Sequence, residues 1–67
     1  MDRLAVGRRL MMLRGSRSQE EVSRAVGIST SALGMYERGE RIPRDEIKIG
    51  LSKYYDTTVQ AIFYADE

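Results

Sequence analysis

Three consecutive residues, Ser29, Thr30 and Ser31, carry hydroxyls that can each donate and accept a hydrogen bond. Nine of the eleven cations are arginine, whose planar fork suits phosphate. These are the chemically able groups of the chain, and their chemistry is recognition rather than bond making. There is no histidine and no cysteine, which removes the usual general base, the usual metal ligands and every Ser-His or Cys-His nucleophile pair. Neighbouring acids such as Asp45 and Glu46 could hold a hard cation or do acid-base work, but near a helix start acids usually just favour the dipole. The composition therefore argues against an enzyme, and it names no cofactor and no metal.

The hydroxyl run sits inside the stretch that organises the chain, Ser18 to Gly39. Ser18-x-x-Glu21 has the form of a capping box, and Val22, Ala25 and Val26 follow at helical spacing. Gly27 can take the left-handed conformation that stops a helix and turns it sharply. Ile28 is of buried type, and Ser29 is a good cap for a second helix to about Arg38, closed by Gly39. Two short helices meeting at a tight glycine turn describe a helix-turn-helix.

The residue pattern goes further. Gln19, Val22-Ser23, Val26-Gly27-Ile28-Ser29, Leu33, Tyr36-Glu37-Arg38-Gly39, Arg41 and Pro43 together resemble the phage-repressor and Cro family of helix-turn-helix DNA-binding domains. The resemblance covers about Val6 to Phe63. Its most specific piece is the Gly-Ile-Ser turn followed, ten residues after Gly27, by Glu37-Arg-Gly-Glu-Arg-Ile-Pro43.

Around this motif the sequence predicts three more helices. Val6, Leu10 and Leu13, widened by Met11 or Met12, give an apolar stripe over about Arg3 to Arg14, with a basic opposite face. Gly15 and Ser16 end that helix. Pro43 denies a donor and holds Ile42 extended, so a fourth helix starts at about Pro43 or Arg44. Its stripe is Ile47, Leu51 and Tyr54 or Tyr55, and Gly50 within it suggests a close helix approach. Thr57 or Thr58 caps a short last helix through about Phe63. The prediction is one all-α domain over residues 1–67, a compact five-helix phage-repressor-like fold with its core between about 4 and 63. Val6, Leu10, Leu13, Val22, Val26, Ile28, Leu33, Ile47, Leu51, Val59 and Ile62 are the expected core.

Three positions depart from the family pattern. The connection after the first helix is about two residues short and has Arg17 where the family carries an apolar side chain, which predicts a tight loop with Arg17 reaching outward. Ser23 stands where the family most often has alanine, and its hydroxyl can bond back to the carbonyl four residues earlier. Asp56 stands at a position often glycine and left-handed, which Asp tolerates better than most residues.

The resemblance implies residue roles. In this motif the second helix enters the major groove with its N-terminal residues at base edges. Leu33 then points inward with Tyr36 or Glu37, and Thr30, Ser31 and Met35 match base-reading positions, with Gly34 between them. Gly34 either lets the helix approach the groove floor or is simply exposed and tolerated, at about 1 kcal/mol of helix propensity. Gln19 and Ser29, at helix starts, and Arg38, Arg41 and Arg44, around the end of the recognition helix, match phosphate contacts, with Arg9 and Arg17 as lesser candidates. Arg14 and Glu37 match a structural ion pair. The implied partner is a double-stranded DNA operator, bound as a homodimer on a palindrome. With no further domain expected, dimerisation would use Tyr54, Tyr55, Phe63 and Tyr64, although a small core filling itself explains those aromatics equally well.

Charge leaves a second reading open. The net charge is only +1, although residues 1–17 carry +4 and residues 49–67 carry −2. A protein-interaction module of the same fold, binding an anti-repressor, a protease or a toxin, also fits. The longest charge-free run, Ala25 to Tyr36, has 12 residues against the roughly 20 that span a bilayer. No signal peptide is evident, so the cytoplasm is the expected compartment.

Overall fold

Caps written into the sequence set the helix boundaries. The computed structural model describes residues 1–66. Asp2 Oδ1 accepts from the N–H groups of Leu4 and Ala5, at 3.1 Å each, and opens α1 (Arg3–Arg14). Ser18 Oγ accepts from the Glu21 N–H at 3.0 Å and opens α2 (Gln19–Val26). The Glu21 carboxylate makes no return bond among the described residues, so the box is half closed. Ser29 does the same for α3 (Thr30–Glu37) through the Ala32 N–H, and Thr58 for α5 (Val59–Phe63) through the Ala61 N–H. Only α4 (Asp45–Tyr54) lacks a side-chain cap; Asp45 and Glu46 in its first turn favour the dipole instead. Among the described residues there is no strand.

Between α2 and α3, Gly27 sits at φ 83°, and the N–H groups of Gly27 and Ile28 both return to the Ser23 carbonyl at 2.9 Å. Asp56 takes the left-handed conformation after α4, at φ 56°.

α1 packs on α3, α2 on α3 and α4, and α5 closes against α1 and α4. Glycines make two of these contacts close. A methyl on Gly7 would overlap the carbonyl of Glu37, and one on Gly50 would lie 3.3 Å from Val26 Cγ1. The second approach is the one Gly50 suggested. The first is a backbone-to-backbone contact between α1 and the end of α3.

Val6, Leu10, Val22, Leu33, Leu51, Ile62 and Phe63 are fully buried, joined by Tyr36 and Tyr55. Leu13, Val26, Ile28, Ile47 and Val59, expected as core, pack only at its margin. The aromatics have taken the centre because in so small a domain each buries more area than an aliphatic chain does. Tyr55 and Phe63, at 7% and 1% exposure, therefore fill the core, the second of the two roles the sequence left open for them, and are not available as an interface. Tyr54 and Tyr64 remain half-buried at the surface. Tyr64 covers Lys48, whose ammonium donates to the Tyr64 hydroxyl at 2.8 Å and lies 3.6 Å from Asp45. The bond to Tyr64, more than the charge of Asp45, raises the Lys48 pKa.

Arg17 also differs from expectation. It folds back over the end of α1, donating to the carbonyls of Leu13 at 2.7 Å and Arg14 at 3.2 Å, and its guanidinium lies 5.2 Å from the Tyr54 ring and 5.3 Å from the Tyr55 ring. Stacking lets it cover the aromatics where an apolar side chain would otherwise stand. Arg9 is likewise engaged, donating to the Ile62 carbonyl at 2.6 Å and to Asp66 at 2.7 Å. Neither is free for phosphate.

The Tyr55 hydroxyl is the one buried side-chain polar atom without a hydrogen-bond partner among the described residues. Burial, then the charge of Glu37, pushes its pKa up to about 12 from 10.0. Tyr55→Phe should raise stability by about 1 kcal/mol at pH 7, since an unpaired buried hydroxyl is removed. Between pH 10 and about 12 the unfolded chain loses this proton while the folded chain keeps it, so stability falls as pH rises through that window. Urea midpoints at pH 7 and pH 11 should show a smaller alkaline loss in the variant.

Candidate nucleic-acid interface

Ser29, Thr30 and Ser31 are exposed on the first turn of α3, while Leu33, on the opposite face, is fully buried. Of the first N–H groups of the helix, which have no intrahelical carbonyl to bind, that of Ala32 is taken by Ser29 Oγ. Met35 is half-buried one turn on. Beside this turn lies an open cleft of about 410 Å³, lined in part by Ser29, Ala32, Arg41 and Arg44. Arg41 is exposed and has no acidic partner among the described residues. Arg44 lies 3.3 Å from Glu46, with both side chains about three-quarters exposed. Exposed pairs of this kind exchange readily for another anion.

Arg38 curls back over the helix. Its Nε donates to Glu40 at 2.7 Å, a bond that raises the Arg38 pKa and lowers that of Glu40. Its guanidinium covers Gly34, so the glycine is buried under its own helix's arginine rather than exposed. A methyl at Gly34 would meet only Arg38 NH1, at 2.9 Å, the far end of a flexible side chain. Gly34→Ala should therefore stabilise the fold by roughly 1 kcal/mol through helix propensity, read as a higher urea midpoint at unchanged slope.

Beneath this surface a buried network fixes the end of α3. Glu37, 3% exposed, accepts from Arg14 Nε at 2.7 Å and Arg14 NH2 at 3.1 Å. Gln19 Nε2 donates to the same carboxylate at 2.8 Å, and Arg14 NH1 donates to the Arg17 carbonyl at 2.8 Å. The bond to Glu37 raises the Arg14 pKa. The network links α1, the loop after it, α2 and α3. Gln19 is thus engaged inward, with only its second amide hydrogen left for an outside acceptor. Its place here was not legible, because nothing in the spacing says that residue 19 faces residue 37.

Two hydroxyls also meet across the turn. Ser23, 3% exposed, bonds back to the carbonyl three residues earlier, Glu20, at 3.2 Å rather than four residues earlier, and lies 3.1 Å from Thr30 Oγ1.

A protein-family model described as helix-turn-helix matches residues 9–62. The chain belongs to the phage-repressor and Cro family of helix-turn-helix proteins. Comparison with curated proteins and with solved structures gave no match. In this helix-turn-helix protein the matched span runs from the middle of α1 into α5 and includes every residue of the surface just described. Among the described residues, no cluster of His, Cys, Asp or Glu is arranged to hold a metal ion, and no helix is long and apolar enough to cross a membrane.

Proposed function

We propose that the protein is a sequence-specific double-stranded DNA-binding regulator acting in the cytoplasm, most simply a repressor, and not an enzyme. In this reading α3 lies in the major groove. Thr30, Ser31 and Met35 face base edges, and Gly34 lets the helix approach closely once Arg38 swings from it to a phosphate. Ser29, Arg41, Arg44 and the spare Gln19 hydrogen hold the remaining phosphates. The observation that carries the reading is the exposed, hydroxyl-bearing first turn of α3 flanked by Arg41 and Arg44 and anchored from behind by the buried Arg14–Glu37–Gln19 network. One such helix reads half a site, so two copies bind a palindrome with about one helical turn between half-sites. Tyr54 and Tyr64 are the surface aromatics available to that pairing.

A protein-binding module of the same fold is the second reading, and one feature favours it. Met12, 81% exposed, stands beside an apolar groove of about 260 Å³ between α1 and α5. Binding to the DNA upstream of the protein's own gene, in competition with unrelated duplex at two salt concentrations, separates the two. Preference for the upstream DNA with a steep loss of affinity in salt is the expected result; weak association indifferent to salt and sequence would favour the protein-binding module.

A further inference from the structure

Ser23 lies on α2, yet its hydroxyl is bonded to the first residue of the proposed reading helix. Each hydroxyl has a single proton. Ser23 Oγ lies 3.2 Å from the Glu20 carbonyl and 3.1 Å from Thr30 Oγ1, and both contacts are hydrogen bonds in only one arrangement. Thr30 donates to Ser23, and Ser23 donates to Glu20. The carbonyl has no proton to offer, so it fixes the direction of the pair. Thr30's own proton is then spent inward. What its oxygen presents outward, from the exposed first turn of α3, is lone pairs alone.

In the major groove adenine and cytosine offer exocyclic amino donors, whereas guanine and thymine offer acceptors. An acceptor-only threonine therefore discriminates where a free threonine hydroxyl would serve either kind of edge. We propose that Ser23 is a positioning residue for base recognition: it orients Thr30 as an acceptor, so that Thr30 selects adenine or cytosine over guanine or thymine at one position of the half-site. The inference rests on the DNA-binding reading above. Ser23 is buried at the crossing of α2 and α3 and acts through Thr30 alone.

The test is selection from a randomised duplex pool by the full chain and by Ser23→Ala, Thr30→Val and the double variant, each first checked for native helicity by circular dichroism. The wild type should prefer an amino-bearing base at one position by on the order of tenfold, the worth of a single hydrogen bond. Thr30→Val should abolish that preference and so identify the position. Ser23→Ala should admit guanine and thymine there while leaving the other positions and the salt dependence unchanged, and it should add nothing in the Thr30→Val background. A wild-type preference for guanine or thymine at that position overturns the proposal, as does a Ser23→Ala profile identical to the wild type; the former needs only the surface variant Thr30→Val to fold. If the wild type enriches no sequence at all while folded, it is the DNA-binding reading that fails, and this inference falls with it.

Discussion

Glu37→Ala should leave the domain largely unfolded or close to it at room temperature. The Glu37 side chain is 2% exposed and takes three donors, two from Arg14 and one from Gln19. Its removal leaves Arg14 Nε and NH2 and the Gln19 amide without their acceptor, Arg14 NH1 keeping the Arg17 carbonyl, and breaking a buried pair from one side typically costs about 3–5 kcal/mol. Arg14 is 20% exposed and recovers some hydration, which places the expected loss toward the lower end. Native domains hold roughly 0.05–0.15 kcal/mol per residue, so a chain of 67 residues has little beyond that loss to spare. Glu37→Gln, which retains one acceptor oxygen, should lose less. Urea denaturation followed by circular dichroism measures both. If Arg14→Ala and Glu37→Ala cost as much together as the sum of the two alone, the pair is not the coupled unit described here. Any loss of DNA binding in these variants would be indirect, since neither side chain faces outward.

Gly7→Ala should also destabilise, by about 2 kcal/mol, although the same change in an open helix position would stabilise. The added methyl falls on the Glu37 carbonyl and within 3.0 Å of the Tyr36 carbonyl, and backbone cannot swing aside as a side chain can. α1 must move away from α3, an overpacking that costs about 1–3 kcal/mol or more, against the roughly 1 kcal/mol gained in helix propensity. A fall in thermal midpoint on the order of 10 °C is expected at this size. Gly34→Ala serves as the internal control: the chemical change is identical, but the group in its way is a mobile guanidinium, and the midpoint should rise. A stabilised Gly7→Ala would mean that α1 and α3 do not meet as closely as described. Because the obstructing carbonyl belongs to Glu37 itself, the effects at positions 7 and 37 are not expected to add.

Helix boundaries were readable because they depend on local chemistry. Ser18, Ser29 and Thr58 cap the helices that their types and the following apolar spacing indicated, and Asp56 is left-handed where a glycine-like position was expected. Periodicity said less about depth. It marks which face of a helix turns inward, not how far in, so it ranks Val26 and Ile47 with the core and leaves Tyr55 and Phe63 open between core and partner surface, where the structure buries them. Contacts between elements were the least legible. Arg17 looked like an outward cation because its acceptors, the last carbonyls of α1, and its stacking partners on α4 are defined only once the helices have packed. Gly7 could have been suspected as a glycine in the middle of an apolar-striped helix, but what approaches it is the backbone of residues 36 and 37. The bond between Ser23 and Thr30 requires the turn geometry that brings residues seven apart into contact.

In the DNA complex the first turn of α3 and the arginines beside it are expected to face the duplex. The most direct test is the salt dependence of binding to a selected duplex, compared between wild type and Arg41→Ala/Arg44→Ala. Removing one arginine from a phosphate makes the slope of log affinity against log salt shallower by about 0.9. The variant should bind more weakly with a slope shallower by about two, keep the base preference of the wild type and remain as stable, since both arginines lie on the surface. An unchanged slope and affinity in a folded variant would put the DNA on another face of the molecule.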